Sequence, residues 1–247
     1  MKRYSPTILF FIFITCISQS LYAQFNDSVH YYSKYATTGI INKTNQNRSF
    51  VLNNVFAFSV SKKEIGLNSS ASWMYGKQNG SLTNNDFATG LNVDLHKNTR
   101  KLYYWGLINL TSSYSLNIRH QFQGGAGVGY NFVNKPNIEV VVSDGLLYER
   151  SSLKIDSVAN ENYQTIRNSL RLRHRWVINN IITWDGMHFW QPSLLKFDDY
   201  IIRSTSNISI RLKKWLSFTS SLTYNKVSRT NRENLLLSFG ITAETYF

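Results

Sequence analysis

The residues that most often perform catalysis are few and widely spaced in this chain. Its five histidines are His30, His96, His120, His174 and His188, and no two have the spacing of metal ligands on a helix. Neither a Gly-x-Ser-x-Gly elbow nor a His-Glu-x-x-His pair is present. Asp94 and His96 come nearest to an acid/base pair, but a polar pair beside a turn explains them more simply. The sequence therefore predicts no catalytic residue, no metal site and no cofactor.

Charged residues show a more informative pattern, because arginines and a few carboxylates recur at alternate positions and so share one face of each segment. This charged set comprises Arg119, Arg167, Arg171, Arg173, Arg203, Arg211, Asp94, Glu139, Glu149 and Glu244. If that face lines a closed interior, each charge needs a partner, and Arg–carboxylate pairs would fill the space. Since arginine outnumbers the carboxylates of the set, a cationic passage that attracts small anions is the alternative.

Residues 235–247 indicate which elements would position these charges. Apolar side chains such as Phe239, Ile241 and Phe247 occupy odd positions, and mostly polar ones occupy even positions. This alternation is long enough for a tilted membrane strand of about 9–11 residues. A terminal aromatic residue on such a strand resembles the signal by which the assembly machinery recognises outer-membrane barrels. The predicted signal consists of Phe239, Ile241, Tyr246 and Phe247.

The same period of two recurs along the chain. It predicts strands near 32–42, 49–61, 65–75, 87–95, 102–112, 118–132, 137–150, 161–175, 177–190, 202–212, 216–225 and 235–247. A single-chain bacterial barrel requires an even number of strands. The predicted fold is therefore all-β, a transmembrane antiparallel up-and-down β-barrel of about 12 strands, with ten as the alternative if the weak run at 32–42 is discounted.

The assignment of side chains to the two faces of each strand assumes that the strands are regular. Asp144 interrupts the apolar alternation of Val140, Val142 and Leu146, so we expect a β-bulge there.

The connections also follow the habit of a barrel, in which short turns at one end alternate with longer loops at the other. Short periplasmic turns are predicted at 61–64, 97–100, 134–137, around Arg175 and at Lys213-Lys214. Longer outer loops are predicted at 77–86, 151–161 and 191–199.

Aromatic residues cluster near the predicted strand ends, as the two girdles of a membrane barrel require. The periplasmic girdle is predicted to contain Tyr103, Tyr104, Trp105, Tyr130, Phe132, Trp176 and Trp215, and the outer girdle Trp73, Tyr75 and Trp190. A secreted β-sandwich could alternate too, but it would need neither girdle.

The N-terminal segment is predicted to have a separate role. A basic start precedes the apolar run 8–17, which is shorter than the roughly 20 residues of a membrane helix, and the small residue Ala23 follows. We expect residues 1–23 to be a cleaved signal peptide and 24–247 to be an outer-membrane β-barrel. Cys16 lies in the cleaved part, so the remaining chain has no thiol.

The chain is strongly basic, with a formal net charge of +13 and a pI near 9.8. Basic loop residues could contact the phosphates of lipopolysaccharide or anionic lipid, although solvated loop charge is the commoner case. The candidates are Lys43, Arg48, Lys77, Arg229 and Arg232. An exported protein does not meet nucleic acid, whatever its charge. The expected partners are thus outer-membrane lipid, lipopolysaccharide and the barrel-assembly machinery, and we expect a monomer in the cell outer membrane.

A group of residues in the first half of the chain resembles a known family. The group comprises Tyr75-Gly76, Thr83, Asn85, Leu91, Asp94, Leu102-Tyr103, Arg119, the run from Gly125 to Phe132, Pro136, Gly145 and Tyr148-Glu149. On these residues the segment 66–150 is similar to the domain of unknown function 481 family, the salt-induced outer-membrane proteins. Residues 112–117 depart from the family pattern, which has acidic residues there. The family has no agreed activity, so the resemblance implies fold and location rather than function.

The predicted role is that of a porin-like outer-membrane barrel, structural or stress-related in the cell envelope, with narrow anion permeability. A barrel enzyme acting on lipid or lipopolysaccharide is the alternative. The enzyme would require a nucleophile, a base and a carboxylate at hydrogen-bonding distance near the outer rim.

Overall fold

The computed structural model describes residues 30–155 and 160–247, so the predicted signal peptide lies outside the described residues. The strand segments are β1 (Tyr31–Lys43), β2 (Arg48–Lys62), β3 (Ile65–Gln78), β4 (Ser81–Leu95), β5 (Leu102–Ser113), β6 (Ile118–Lys135), β7 (Ile138–Lys154), β8 (Asn160–Asn168), β9 (Leu170–Ile178), β10 (Ile182–Pro192), β11 (Tyr200–Lys213), β12 (Leu216–Val227) and β13 (Arg232–Tyr246). A 3-10 turn, Ser228–Thr230, precedes β13. Within the described residues, we find no helix long and apolar enough to cross a membrane.

The strands form one closed antiparallel ring. Each strand pairs with its neighbours in sequence, and β1 pairs with β13, where Tyr31 and Phe247 exchange two backbone hydrogen bonds. Segments β8 and β9 pair with β7 in a single register that is interrupted only at Ser169, so they are two parts of one strand. The barrel therefore has twelve strands, which confirms the predicted fold and strand number.

The period-two pattern sorts side chains between the two faces of the wall. In β13, Leu237, Phe239 and Ile241 are exposed on the outside, whereas Ser238 and Thr242 are buried on the inside. The other strands repeat this arrangement, so the outer surface is a continuous apolar band. Such a band would be unfavourable in water and is what a lipid-facing wall requires.

Two of the predicted connections differ from the structure because turns of two and three residues join the strands. The outer loop expected at 77–86 is wrong, since β3 and β4 meet at Asn79-Gly80, whose φ angles of 50° and 84° fit a tight hairpin. The turn expected around Arg175 is also wrong. It lies further along, at Asn179-Asn180, where both φ angles are positive, and Arg175 remains inside β9.

Of the two other long loops that were predicted, one is shorter in the structure and one is found at the expected position. Strand β7 continues to Lys154 and β8 starts at Asn160, so most of the loop expected at 151–161 is strand. The loop expected at 191–199 is confirmed in position, because β10 ends at Pro192 and β11 starts at Tyr200.

Register shifts occur at places the sequence did not indicate. In β6, the shift between Ile118 and His120 turns Ile118 toward the interior, where it is 2% exposed, and leaves Arg119 exposed. The bulge expected at Asp144 is wrong, because Asp144 pairs with Val128 in regular register. Asp144 instead points outward and accepts a hydrogen bond of 2.8 Å from the Asn168 amide. An outward polar pair, not a bulge, interrupts the apolar alternation.

One side of the interior is filled by a compact apolar cluster on β5 and β7. Its members are Tyr103, Trp105, Leu107, Val141 and Leu147. The assignment of Tyr103 and Trp105 to the aromatic girdle is therefore wrong. Both side chains are buried inside the barrel, at 0% and 4% exposure. Tyr104, on the opposite face of the same strand, is exposed.

Glycines of β6 make room for this cluster. A Cβ on Gly129 would lie 2.2 Å from the ring of Tyr103, and one on Gly127 would lie 2.6 Å from the ring of Trp105. Since such approaches are far below contact distance, the rings can lie against β6 only where it has no side chains. The glycine repeat of this strand is thus explained by packing.

This explanation predicts that Gly129→Ala destabilises the barrel, because Tyr103 would have to leave its site. We expect a loss of about 1–3 kcal/mol in the free energy of unfolding, measured by urea denaturation in detergent. Gly106→Ala is the matched control, since the nearest atom to its Cβ would be 3.8 Å away. Equal midpoints for the two variants would contradict the packing explanation.

Candidate functional site

The interior charges form two groups at different heights in the barrel. We call the end that holds Tyr31 and Phe247 the terminal end, and the opposite end the loop end. The loop-end network comprises Glu149, Glu161, Arg167, Asp199, Arg203 and Arg229. The terminal-end group comprises Asp94, Lys97, Glu139, Arg171, Arg173, Arg175 and Glu244.

Arg167 is the centre of the loop-end network. Its Nε donates to Glu149 Oε2 at 2.8 Å and its Nη2 donates to Asp199 Oδ1 at 2.9 Å. All three side chains are almost completely buried, with exposures of 0%, 0% and 2%. Burial of this kind is tolerated only when each charge is paired and its remaining hydrogen-bonding groups are satisfied. The backbone oxygens of Gln191 and Asp199 satisfy the rest of the guanidinium.

Neighbouring side chains complete the hydrogen bonding of the two carboxylates. Glu149 also accepts from the hydroxyl of Tyr163 at 2.5 Å and from the amide of Gln123 at 2.6 Å. Arg229 donates to Asp199 at 2.6 Å and bonds Glu161, and its guanidinium lies 3.9 Å over the ring of Tyr163. Burial lowers the pKa of Arg229, but the hydrogen bond and charge of Asp199 outweigh it and raise that pKa overall.

The network crosses the barrel interior and balances its own charge. Arg203 of β11 donates to Gln121 of β6 at 2.6 Å, so the side chains link strands that are four places apart in the ring. Asp199 belongs to the connection between β10 and β11, which is thereby tied into the interior. The three arginines of the network are matched in number by three carboxylates, so the network carries no surplus of charge.

The terminal-end group is less completely paired. Lys97 Nζ lies 3.5 Å from Glu139 and 3.8 Å from Asp94, and Arg173 Nη2 lies 3.4 Å from Glu139. Arg171 has no carboxylate partner among the described residues. It donates to Ser143 at 2.8 Å and lies 5.7 Å over the Trp105 ring.

Lys97 lies in the turn between β4 and β5, at the terminal mouth. Burial lowers the pKa of Lys97 to about 8, and the positive charge of Arg173 adds to this, although Glu139 and Asp94 act in the opposite direction. About half of the Lys97 side chains therefore carry a positive charge near pH 8.

The lumen beside these charges is accessible to solvent. Ser70 of β3 and Met187 of β10 both point inward, because they share faces with Asn68 and Arg173. Both are nevertheless exposed, Met187 at 38%. Since β3 and β10 lie on opposite sides of the twelve-strand ring, the space between the walls is not filled by side chains.

The structure separates the charged residues singled out from the sequence. It brings Glu149, Arg167 and Arg203 together at the loop end, and Asp94, Glu139, Arg171 and Arg173 at the terminal end. Glu244 accepts from the Tyr32 hydroxyl at 2.8 Å. Arg119 and Arg211 are exposed at opposite ends and belong to neither network.

The charged set drawn from the sequence omits Lys97, Glu161, Arg175, Asp199 and Arg229 of these networks. Asp199 and Arg229 lie outside strands, where no alternation indicates an inward direction, and Lys97 was assigned only to a turn. His96 does not pair with Asp94, since its Nδ1 lies 3.5 Å from Glu64. In the described part of the chain, no cluster of three or more His, Cys, Asp or Glu side chains could hold a metal ion.

The residues of the predicted assembly signal lie along the terminal end of β13. Phe239 and Ile241 are exposed on the outer face, and the ring of Phe247 stacks on Tyr31 at 5.6 Å. Tyr246 points inward and its ring packs on Tyr32 at 4.5 Å. Recognition by the assembly machinery stays a prediction.

Breaking the loop-end network should be costly. Arg167→Met would leave Glu149 and Asp199 buried without a counter-charge, so we expect a loss of about 3–5 kcal/mol in the free energy of unfolding by urea. Arg173→Met is the matched control, because that partly exposed arginine should contribute less than about 1 kcal/mol. A loss from Arg167→Met as small as the one expected from Arg173→Met would show that the network does not stabilise the barrel.

Solved structures with a similar fold are bacterial outer-membrane barrels. The translocator domain of autotransporter NalP from Neisseria meningitidis has a TM-score of 0.52 and 10% identity, covering 96% of this chain and 95% of that one. The NanC porin has a TM-score of 0.50 and 9% identity, with 87% and 99% coverage. The COG4313 outer membrane channel from Pseudomonas putida F1 has a TM-score of 0.50 and 11% identity, with 94% and 100% coverage. At these identities the likeness shows the fold alone.

Sequence comparison identifies the family. No curated protein matches the sequence. The family described as protein of unknown function, DUF481, matches residues 36–242, which extends the resemblance seen in 66–150 to nearly the whole barrel. The chain therefore belongs to the DUF481 family.

Proposed function

We propose that the protein lies in the bacterial outer membrane and acts there as a narrow channel selective for small anions. The observation that carries this proposal is the unequal pairing of interior charge. At the loop end, Arg167 and Arg229 each pair with two carboxylates, whereas Arg171 and Arg173 at the terminal end have fewer carboxylate partners and line a solvent-accessible lumen.

The outer surface supports the location. Its large apolar side chains are exposed all round the ring, for example Phe56, Ile108, Phe132 and Phe218. A closed barrel leaves no unpaired strand edge, so its wall could lie in lipid without loss of backbone hydrogen bonds. We place the terminal end in the periplasm, as short turns at that end favour.

The terminal-end group supports the selectivity. Its four cations outnumber its three carboxylates, and the inward Asp185 opposite Arg175 is offset by the inward Lys34 opposite Glu244. Surplus positive charge within low-dielectric walls concentrates anions, and rings of Arg and Lys bias pores toward negative solutes.

The loop-end network supports narrowness. Glu149, Arg167 and Asp199 fill part of the cross-section and have no free hydrogen-bonding capacity to offer a solute. Because the network is neutral, it restricts size while the terminal-end group sets charge preference. A passage of this kind would suit small inorganic anions rather than oligosaccharides. The proposal also includes a role for this channel in the response to envelope stress.

An enzymatic role has less support. On the outer face, Ser204 Oγ and His188 Nδ1 lie 2.8 Å apart, which resembles a nucleophile and its base. The other nitrogen of His188 faces His174 at 3.5 Å instead of a carboxylate that would orient it. We therefore propose a protein without catalytic activity.

Conductance tests the channel. We expect the refolded barrel in a planar bilayer to pass chloride in preference to potassium, and Arg173→Gln to lower the permeability ratio by about twofold or more. Arg48→Gln removes an exposed charge at the other end and should leave the ratio unchanged. A correctly folded barrel that never conducts, or that prefers cations, would refute the proposal.

The selectivity should also depend on pH through Lys97. Because its ammonium loses a proton near pH 8, the preference for chloride should fall between pH 7 and 9. Reversal potentials in a salt gradient measure this change. Lys97→Met should show the weaker preference already at pH 7, with no step across this range, and a step that persists in this variant would assign it to another group.

A further inference from the structure

Two neighbouring cavities lie at the loop end, over the rim of the barrel. Their volumes are about 800 and 1030 Å³, and both are lined by Ser112, Arg119 and His120. One cavity opens on the lipid-facing wall and the other lies at the mouth. We call the combined space the rim groove.

The upper part of the rim groove is basic. It is lined by Arg119, His120, Arg150, Lys154 and Arg232. Within residues 30–155 and 160–247, none of these cations lies within ion-pair distance of a carboxylate, in contrast to the paired Arg229 nearby in the chain. The groove therefore presents positive charge that the described residues leave uncompensated.

The lower part of the rim groove is apolar. Phe87, Leu110 and Phe122 line it, and all three are exposed on the outer wall. Arg150 lies directly opposite Phe122 in the pairing of β6 with β7, and Tyr148 follows two residues closer to the middle of the wall. Basic residues thus lie where lipid headgroups begin, with apolar residues where acyl chains would lie.

We propose that the rim groove binds a phosphorylated lipid of the outer leaflet, the chemistry that lipopolysaccharide presents. Phosphate groups would contact the Arg119 and Arg150 guanidinium groups, which favour bidentate contacts with phosphate oxygens. Acyl chains would pack on Phe87, Leu110 and Phe122. The proposal rests on the location proposed above but not on conductance, and of the basic loop residues considered from the sequence only Arg232 takes part.

Isolated surface arginines usually have no ligand, because water solvates them well. Two features distinguish this groove from such a surface. Its cations come from β6, β7 and β13, and Arg119 and His120 line both the mouth cavity and the cavity that holds the apolar residues. A free anion would need only the first feature, whereas a phosphorylated lipid needs both.

Native mass spectrometry of the refolded protein in detergent tests this inference. Diphosphorylated lipid A should remain bound at least tenfold more than its dephosphorylated form. Arg119→Gln with Arg150→Gln should abolish most of this difference. Arg48→Gln with Lys77→Gln removes two charges at the same end outside the groove and should preserve it, while heat-modifiable mobility on gels checks folding in each case.

Inorganic pyrophosphate distinguishes the two sources of phosphate. If acyl chains contribute, millimolar pyrophosphate should not displace bound lipid A, and Phe122→Ser should weaken lipid binding. Complete displacement by pyrophosphate would identify a free-anion site and overturn the lipid proposal. Equal retention of both lipid A forms, or equal losses in the two double variants, would overturn it as well. Since no outcome depends on ion flow, failure here leaves the channel proposal untouched.

Discussion

Closure of the backbone hydrogen-bond ring is the constraint on which the rest of this structure depends. A wall in lipid cannot leave N–H or C=O groups unpaired, so β1 must meet β13, where Tyr31 and Phe247 exchange their backbone bonds. Closure in turn gives each strand one face toward lipid and one toward the interior. Most charged side chains of the wall are then accommodated inside, by a partner or by water, and the outward Asp144 is paired with Asn168.

The interior accommodates its charges in both ways. At the loop end Arg167 is fully buried because Glu149 and Asp199 supply two carboxylates within 3 Å. At the terminal end the carboxylates are too few, and Arg173 remains 36% exposed. The difference follows from the connections, since the segment between β10 and β11 delivers the carboxylate of Asp199 into the loop end, whereas the turn between β4 and β5 delivers a cation, Lys97, to the other end.

The period of two allowed most of the wall to be predicted, including twelve strands and the inward direction of Arg167, Arg171 and Arg173. It failed where the period is broken or absent. The bulge at Arg119 reversed the faces around Ile118, and Asp199 and Arg229 lie in connections without a period. Tyr103 and Trp105 were assigned to the girdle because aromatic residues suit either face, and only the glycines opposite them on β6 show that the interior has room.

The apolar cluster also determines where a passage can run. Tyr103, Trp105 and Leu147 occupy the side of the interior that β5 to β7 form, whereas small polar residues such as Ser70 line the side formed by β2 to β4. Water therefore has access to one side of the lumen, and the incompletely paired arginines of β9 require that water for their own solvation. The charge imbalance that would attract anions is thus the same feature that keeps the lumen hydrated. Neutralising Arg173 should accordingly reduce both the attraction of anions and the hydration of the lumen. In an interior where every arginine had a carboxylate partner, neither property would depend on this residue.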